Sequence, residues 1–105
     1  MALPVDTSKV RFVAAEAPYP MLDRTTRMPR TNFDGQPLWF VPVVAMTEGQ
    51  KAEVMSLKVP GEPKGIRAFM AVKVTGFVVG EYTAKDGKHY SSYEADSVEP
   101  DLPGK

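Results

Sequence analysis

The sequence predicts an all-β domain: a five-stranded antiparallel barrel with a long hairpin made by its last two strands and at most a short helical turn. Three observations lead there. Five segments rich in alternating or continuous apolar residues are separated by Pro, Gly and Asp-Gly punctuation, while little of the chain reads as helix. The 105 residues make one domain, 1–105, in which every strand must serve a single core. Five short strands suit a closed barrel better than a sandwich, which needs about seven, and closure hides strand edges this apolar.

Residues 1–8 and 99–105 are expected to be loose termini. Lys9–Ala15 alternates well enough for a first strand, with Val10, Phe12 and Ala14 on one side. Ala17-Pro-Tyr-Pro20 then fixes φ and removes backbone donors, so pairing pauses or the strand bends there. Met21–Arg24 resumes it, and Asp34-Gly35 marks the next turn. Gln36–Met46 is the most hydrophobic strand, with apolar residues on both sides, so it is either covered on two faces or has one face that binds something. Pro42 in its middle must lie at a bulge or where its nitrogen side is unpaired. After a turn at Thr47–Gln50, Glu53–Pro60 places Met55, Leu57 and Val59 opposite Ser56 and Lys58. Gly61–Gly65 is a loop, and Ile66–Met70 has room for one helical turn. Met70–Tyr82 and Lys88–Val98 form the final hairpin, turning through Asp86-Gly87. Gly76 and Gly80 inside the first arm imply strong bending at a barrel corner.

Composition removes several function classes. No apolar run reaches the roughly 18 residues of a membrane span, and the amino terminus lacks a basic region followed by an apolar stretch, so a cytoplasmic location is expected. The chain has no cysteine and only His89, which argues against disulfides, thiolate sites and a dedicated metal centre. No cofactor is expected. Catalysis finds no foothold either: His89 sits in an exposed hairpin, Glu94 and Asp96 have no apolar pocket to shift a pKa, and Gly61–Gly65 lacks phosphate-loop spacing. Net charge is zero, which counts against a strong sequence-independent grip on nucleic acid. The charges are nevertheless segregated. Arg24, Arg27 and Arg30 follow one another without an acid between them, as do Lys64, Arg67 and Lys73, whereas Glu94, Asp96, Glu99 and Asp101 gather near the end.

Val72-Lys-Val-Thr-Gly76, Glu81-Tyr82, Lys85-Asp-Gly-Lys88, Tyr90 and Glu94-Ala-Asp-Ser-Val98 together resemble the carboxy-terminal half of the OB-fold in bacterial single-stranded-DNA-binding proteins. In that family a V-x-V-x-G strand runs into an arm bearing an aromatic, turns through D-G and returns to an A-D-x-V-like stretch. Val10–Ala14, Gly35 and Leu38–Met46 are similar in layout. As a whole the chain also resembles small regulatory proteins encoded beside replication and transfer genes on integrative plasmids of actinomycetes. The resemblance implies an OB-like barrel that binds single-stranded DNA, as an accessory or regulatory factor in replication or transfer of a mobile element. RNA is the alternative ligand of the same chemistry. The sequence departs from the family in finishing at Pro100–Lys105 rather than in a long acidic tail, so recruitment through such a tail is not expected.

Such binding needs flat rings for bases and cations for phosphates. Trp39, Tyr82 and Tyr90 are the candidate rings. Tyr82 matches the aromatic of the family's arm, and Tyr90 lies across the turn, though the two equally suit a cross-strand pair. Trp39 alternates with Phe40, so one points into the core and the other out. Phe77 and Tyr93 are assigned to the core. Lys73, between inward Val72 and Val74, and Arg11, between Val10 and Phe12, project outward. With Lys58, Arg24, Arg27, Lys85 and Lys88 they are the candidate phosphate contacts, although solvated surface cations would look the same. The alternative is a protein-interaction or oligomerisation module whose strand Leu38–Met46 pairs or packs with a partner or with a second copy. Small OB barrels with exposed apolar strands often work as dimers or tetramers, so a second copy of the chain is a candidate partner, as a homo-oligomer.

Overall fold

The computed structural model describes residues 2–4 and 6–101, with the backbone alone for Ala2–Pro4 and Tyr82. These residues form nine strands and no helix: β1 (Ala2–Pro4), β2 (Val10–Ala14), β3 (Tyr19–Pro20), β4 (Leu38–Thr47), β5 (Glu53–Pro60), β6 (Ala71–Thr75), β7 (Val78–Thr83), β8 (His89–Glu94) and β9 (Ser97–Pro100). The path of hydrogen-bonded neighbours runs β1-β7-β8-β5-β4-β2-β6-β9, with β3 added beside β4. Every pairing is antiparallel except that of β5 with β8.

The all-β class stands, but five closed strands is too coarse a description of an open path of eight strands plus β3. Two interruptions make the difference. The expected fourth strand breaks at Gly76-Phe77 into β6 and β7, and the fifth breaks at Ala95-Asp96 into β8 and β9. Both breaks lie against each other. Gly76 has a φ of 69°, a Cβ there would run into the Asp96 carboxylate, and the Asp96 amide donates to the Thr75 carbonyl at 2.8 Å. Gly80, by contrast, sits in regular strand between Ala2 and Ser92. The lead-in is also more ordered than its sequence implies, since Ala2–Pro4 pairs with Val78–Gly80. At the other end β9 extends to Pro100, and residues 102–105 lie outside the described residues.

The remaining punctuation acts as its chemistry dictates. Ala14 faces Val43 whereas Tyr19 faces Phe40, so the register slips by two residues across the segment containing Pro18. Pro42 falls in that gap. Its carbonyl accepts from the Ala15 amide at 2.9 Å, which turns its donorless nitrogen toward the same unpaired stretch. The last hairpin closes through Ala84 and Lys88, with Gly87 at a φ of 83°.

The core comes from one face of β2, β4, β5, β6 and β9. Leu57, Val41, Val43 and Ala14 are fully enclosed, joined by Phe12, Met55, Val59, Val72, Val74 and Val98. Burying each large aliphatic side chain contributes about 1.5–3 kcal/mol. Phe12 meets Phe77 edge-on at 5.8 Å, and Phe77 stacks on Tyr93 at 6.2 Å, which places both rings assigned to the core against it. Ile66 in the Gly61–Met70 connector is buried as well. That connector makes turns and no helical turn.

Candidate nucleic-acid interface

Cross-strand neighbours in an antiparallel ladder share a face, so the register fixes which side chains of β4 leave the core. Trp39, Val41 and Val43 face Val59, Leu57 and Met55, all buried. Phe40, Pro42, Val44 and Met46 therefore form the outer face. Trp39 is half-buried and packs against the core cluster, so the ring chosen for base stacking lies on the wrong side of its strand. Phe40 takes the outer position.

Phe40 is flanked by Tyr19 on β3, with ring centroids 5.5 Å apart and planes tilted by 45°, and Tyr19 keeps 43% of its surface exposed. Across β4, Phe40 faces Lys58. Two grooves meet at this point, sharing Phe40 and Met21. One, of about 580 Å³, runs toward β5 and β8 past Ser56, Lys58 and Ser92. The other, of about 730 Å³, runs toward Tyr19, Arg24 and Arg30. The loop carrying those arginines is held in place by backbone: Met21 donates to Leu38, Arg30 to Met21, and Leu38 to Arg30, at 2.8–2.9 Å. Within it the Asp23 carboxylate accepts from the Thr25 and Thr26 amides at 2.8 and 2.9 Å. These bonds, Thr26's first, with the nearby Arg30 charge the least of the lowering influences, hold the Asp23 carboxyl below its ordinary value.

The expected cations separate into three groups. Lys58 lies at the ring site, where its ammonium is 2.9 Å from the Glu94 carboxylate, so part of its charge is already answered. Arg24 lines the second groove, while Arg27, exposed and at a left-handed φ of 62°, stands off it. Arg11 and Lys73 share a different groove, of about 630 Å³, over β2 and β6. Lys85 and Lys88 are exposed at the tip of the last hairpin. Tyr90 faces Tyr82 in that hairpin, 41% exposed, with its hydroxyl 3.5 Å from Asp86. The Tyr82 side chain lies outside the described residues.

Sequence reasoning passed over Tyr19, Phe40, Met21 and Arg30 as site residues. It also passed over the two most exposed rings, Phe33 and Phe69, which project from loops and line none of these grooves. Phe69 adopts a φ of 72°, pinned by its amide on the Ala14 carbonyl at 2.7 Å. Among the described residues no cluster of three His, Cys, Asp or Glu side chains is placed to hold a metal ion, and no helix is long and apolar enough to cross a membrane. Comparison with protein-family models, with curated proteins and with solved structures returns no match.

Proposed function

We propose that the chain binds single-stranded nucleic acid, DNA by its sequence resemblance, on the outer face of β4 and β5. The observation that carries this reading is the Tyr19–Phe40 ring pair, which stands where two grooves meet, with Arg24 and Arg30 along one and Lys58 along the other. Bases stack on such rings for about 1–3 kcal/mol each, whatever their sequence, while arginine forks take the phosphates. The strand connectivity supports an OB-like reading of the fold: β2 pairs both β4 and β6, β5 runs parallel to β8, and β6–β7 and β8–β9 pair as two bent strands. In OB barrels the equivalents of β4 and β5, with the loop before β4, are the usual oligonucleotide surface. A role in replication or transfer of a mobile element is supported by resemblance alone.

The test is fluorescence anisotropy of a labelled oligothymidine titrated with protein at several salt concentrations. Binding should tighten as salt falls, with a log–log slope of about −1.4 to −2.1 from the two or three phosphate contacts of the ring site. Phe40→Ala should weaken it about 5- to 150-fold, the equivalent of one lost stack. Wild-type protein that ignores the oligonucleotide at low salt would refute the reading. Trp39 fluorescence should follow folding rather than binding, since that ring packs on the core.

One observation favours the alternative. Val54 is 76% exposed and Met46 38%, beside half-buried Val13 and Val44 on the same face, an apolar strip that a second copy could cover. Edge pairing through β4 is closed to that partner, because β5 runs along one side of it and β2 and β3 along the other.

A further inference from the structure

We infer that Arg11 and Lys73 form a second phosphate clamp for the same strand, gripping it again at the far end of β4; this rests on the reading just given. The β2–β6 ladder pairs Phe12 with Val72 and Val13 with Ala71, so one step further Arg11 stands opposite Lys73. Like charges directly opposed across a ladder destabilise a sheet. Two acids lie near this pair, Glu99 across the β6–β9 ladder from Lys73 and Asp101 in the same groove, but neither reaches ion-pair distance. The ion pairs among the described residues are Lys58–Glu94 and Lys64–Glu62. Asp6 and Glu16 lie equally near Arg11 in sequence; neither forms an ion pair among the described residues, and Asp6 has a carboxylate oxygen committed to the Ser8 amide at 2.9 Å. Two cations with no ion pair among the described residues therefore share a concave groove of about 630 Å³ with Thr7 and Ser8, whose hydroxyls are hydrogen-bond donors, and with Asp101 at its rim. That is a donor set for a phosphodiester: a guanidinium fork, an ammonium and two hydroxyls.

Its position makes it part of the same track. Arg11 faces Met46, and Met46 lies six residues along β4 from Phe40 on the same face, about 20 Å at strand spacing. The ground between is apolar, with buried Pro42, half-buried Val44 and Val13 and exposed Val54. Nucleotides advance about 3.4 Å each when stacked and roughly twice that when extended. Three to six nucleotides thus separate a base at the rings from a phosphate at Arg11 and Lys73.

The experiment measures the affinity of labelled oligothymidines of three, six, nine and twelve nucleotides for wild-type protein, for Phe40→Ala and for the double variant Arg11→Gln, Lys73→Gln. Wild-type affinity should climb steeply between three and nine nucleotides. The double variant should bind the trinucleotide as wild type does, lose at least tenfold on the longer oligonucleotides, and show a salt slope shallower by about 1.4. Its melting temperature should stay close to that of wild type, because the like-charge opposition of Arg11 and Lys73 and the opposite-charge opposition of Lys73 and Glu99 are lost together. Arg11→Lys should keep most of the climb. Equal affinity of wild type and double variant for the nine- and twelve-nucleotide strands would overturn the clamp while leaving the ring site standing, provided Phe40→Ala weakens every length. Binding by neither protein would overturn both. Sedimentation showing a stable dimer that dissociates on Val54→Asp, with no gain of affinity on length, would assign the strip to self-association and overturn the clamp as well.

Discussion

On the proposed reading, the two ends of the outer face of β4 divide one binding chemistry between them. At the Leu38 end Tyr19 and Phe40 offer flat surface, but the nearest lysine, Lys58, is held by Glu94. At the Thr47 end Arg11 and Lys73 form no ion pair among the described residues, and no exposed ring lines their groove. Zero net charge is compatible with such a site, because Arg11 and Lys73 form no ion pair among the described residues although Glu99 and Asp101 lie close by. The ring end should govern affinity at any salt, and the cation end should govern its dependence on salt and length.

Substitutions at the two ends separate these contributions. Phe40→Ala should have the largest effect, about 1–3 kcal/mol of binding at both low and high salt, read by anisotropy. Loss of Arg11 and Lys73 should follow at low salt and fade as salt rises. Glu94→Gln should act in the opposite direction. With the 2.9 Å pair broken, Lys58 becomes available to phosphate, so binding should tighten severalfold at low salt, with a slope steeper by about 0.7. An unchanged affinity would place Lys58 off the path. The smallest effect is that of pH on the arginine loop. The Asp23 carboxyl is depressed below its ordinary value of 3.8 by the Thr26 and Thr25 amides, so its contribution is fully present above that value and is lost as pH falls through the lower, folded one. The amide proton shifts of Thr25 and Thr26 should accordingly stay constant around neutral pH and titrate together with the Asp23 carboxyl, at a midpoint below 3.8.

Much of the fold was legible because local chemistry and tertiary packing agree. Glu53–Pro60 alternates cleanly and is β5 residue for residue. Pro42, the Pro18–Pro20 break, the Gly76 bend and the Asp86-Gly87 turn lie where a missing donor or a positive φ requires them. Strand β1 was not legible, since three residues carry no periodicity and their pairing with β7 is entirely long-range. The splitting of the last two strands was foreshadowed by Gly76 but depends on Asp96 coming to rest against it.

The site was less legible for a single reason of parity. Leu38–Met46 is apolar on both sides, so its own pattern does not say whether Trp39 or Phe40 faces inward. The neighbouring strand does, once the register is known: the connection between Thr47 and Glu53 sets Val43 against Met55, and the unambiguous inward face of β5 then selects Trp39. A loop one residue longer or shorter would have reversed the choice. Tyr19 was obscured by the prolines around it, which read as a break although its backbone returns to pair with Phe40. Arg11 and Lys73 were correctly placed outward from their own strands. Their separation from Lys58 and Arg24 follows only from the order of strands in the sheet.

Amide chemical-shift mapping with a twelve-nucleotide oligothymidine puts the outer face of β4 to the test. Shifts should gather at Tyr19, Met21, Phe40, Ser56 and Lys58 and extend past Val44 to Arg11 and Lys73, with Trp39 and Leu57 little moved. Shifts confined to the opposite surface, or none at saturating oligonucleotide, would contradict a nucleic-acid track along this strand.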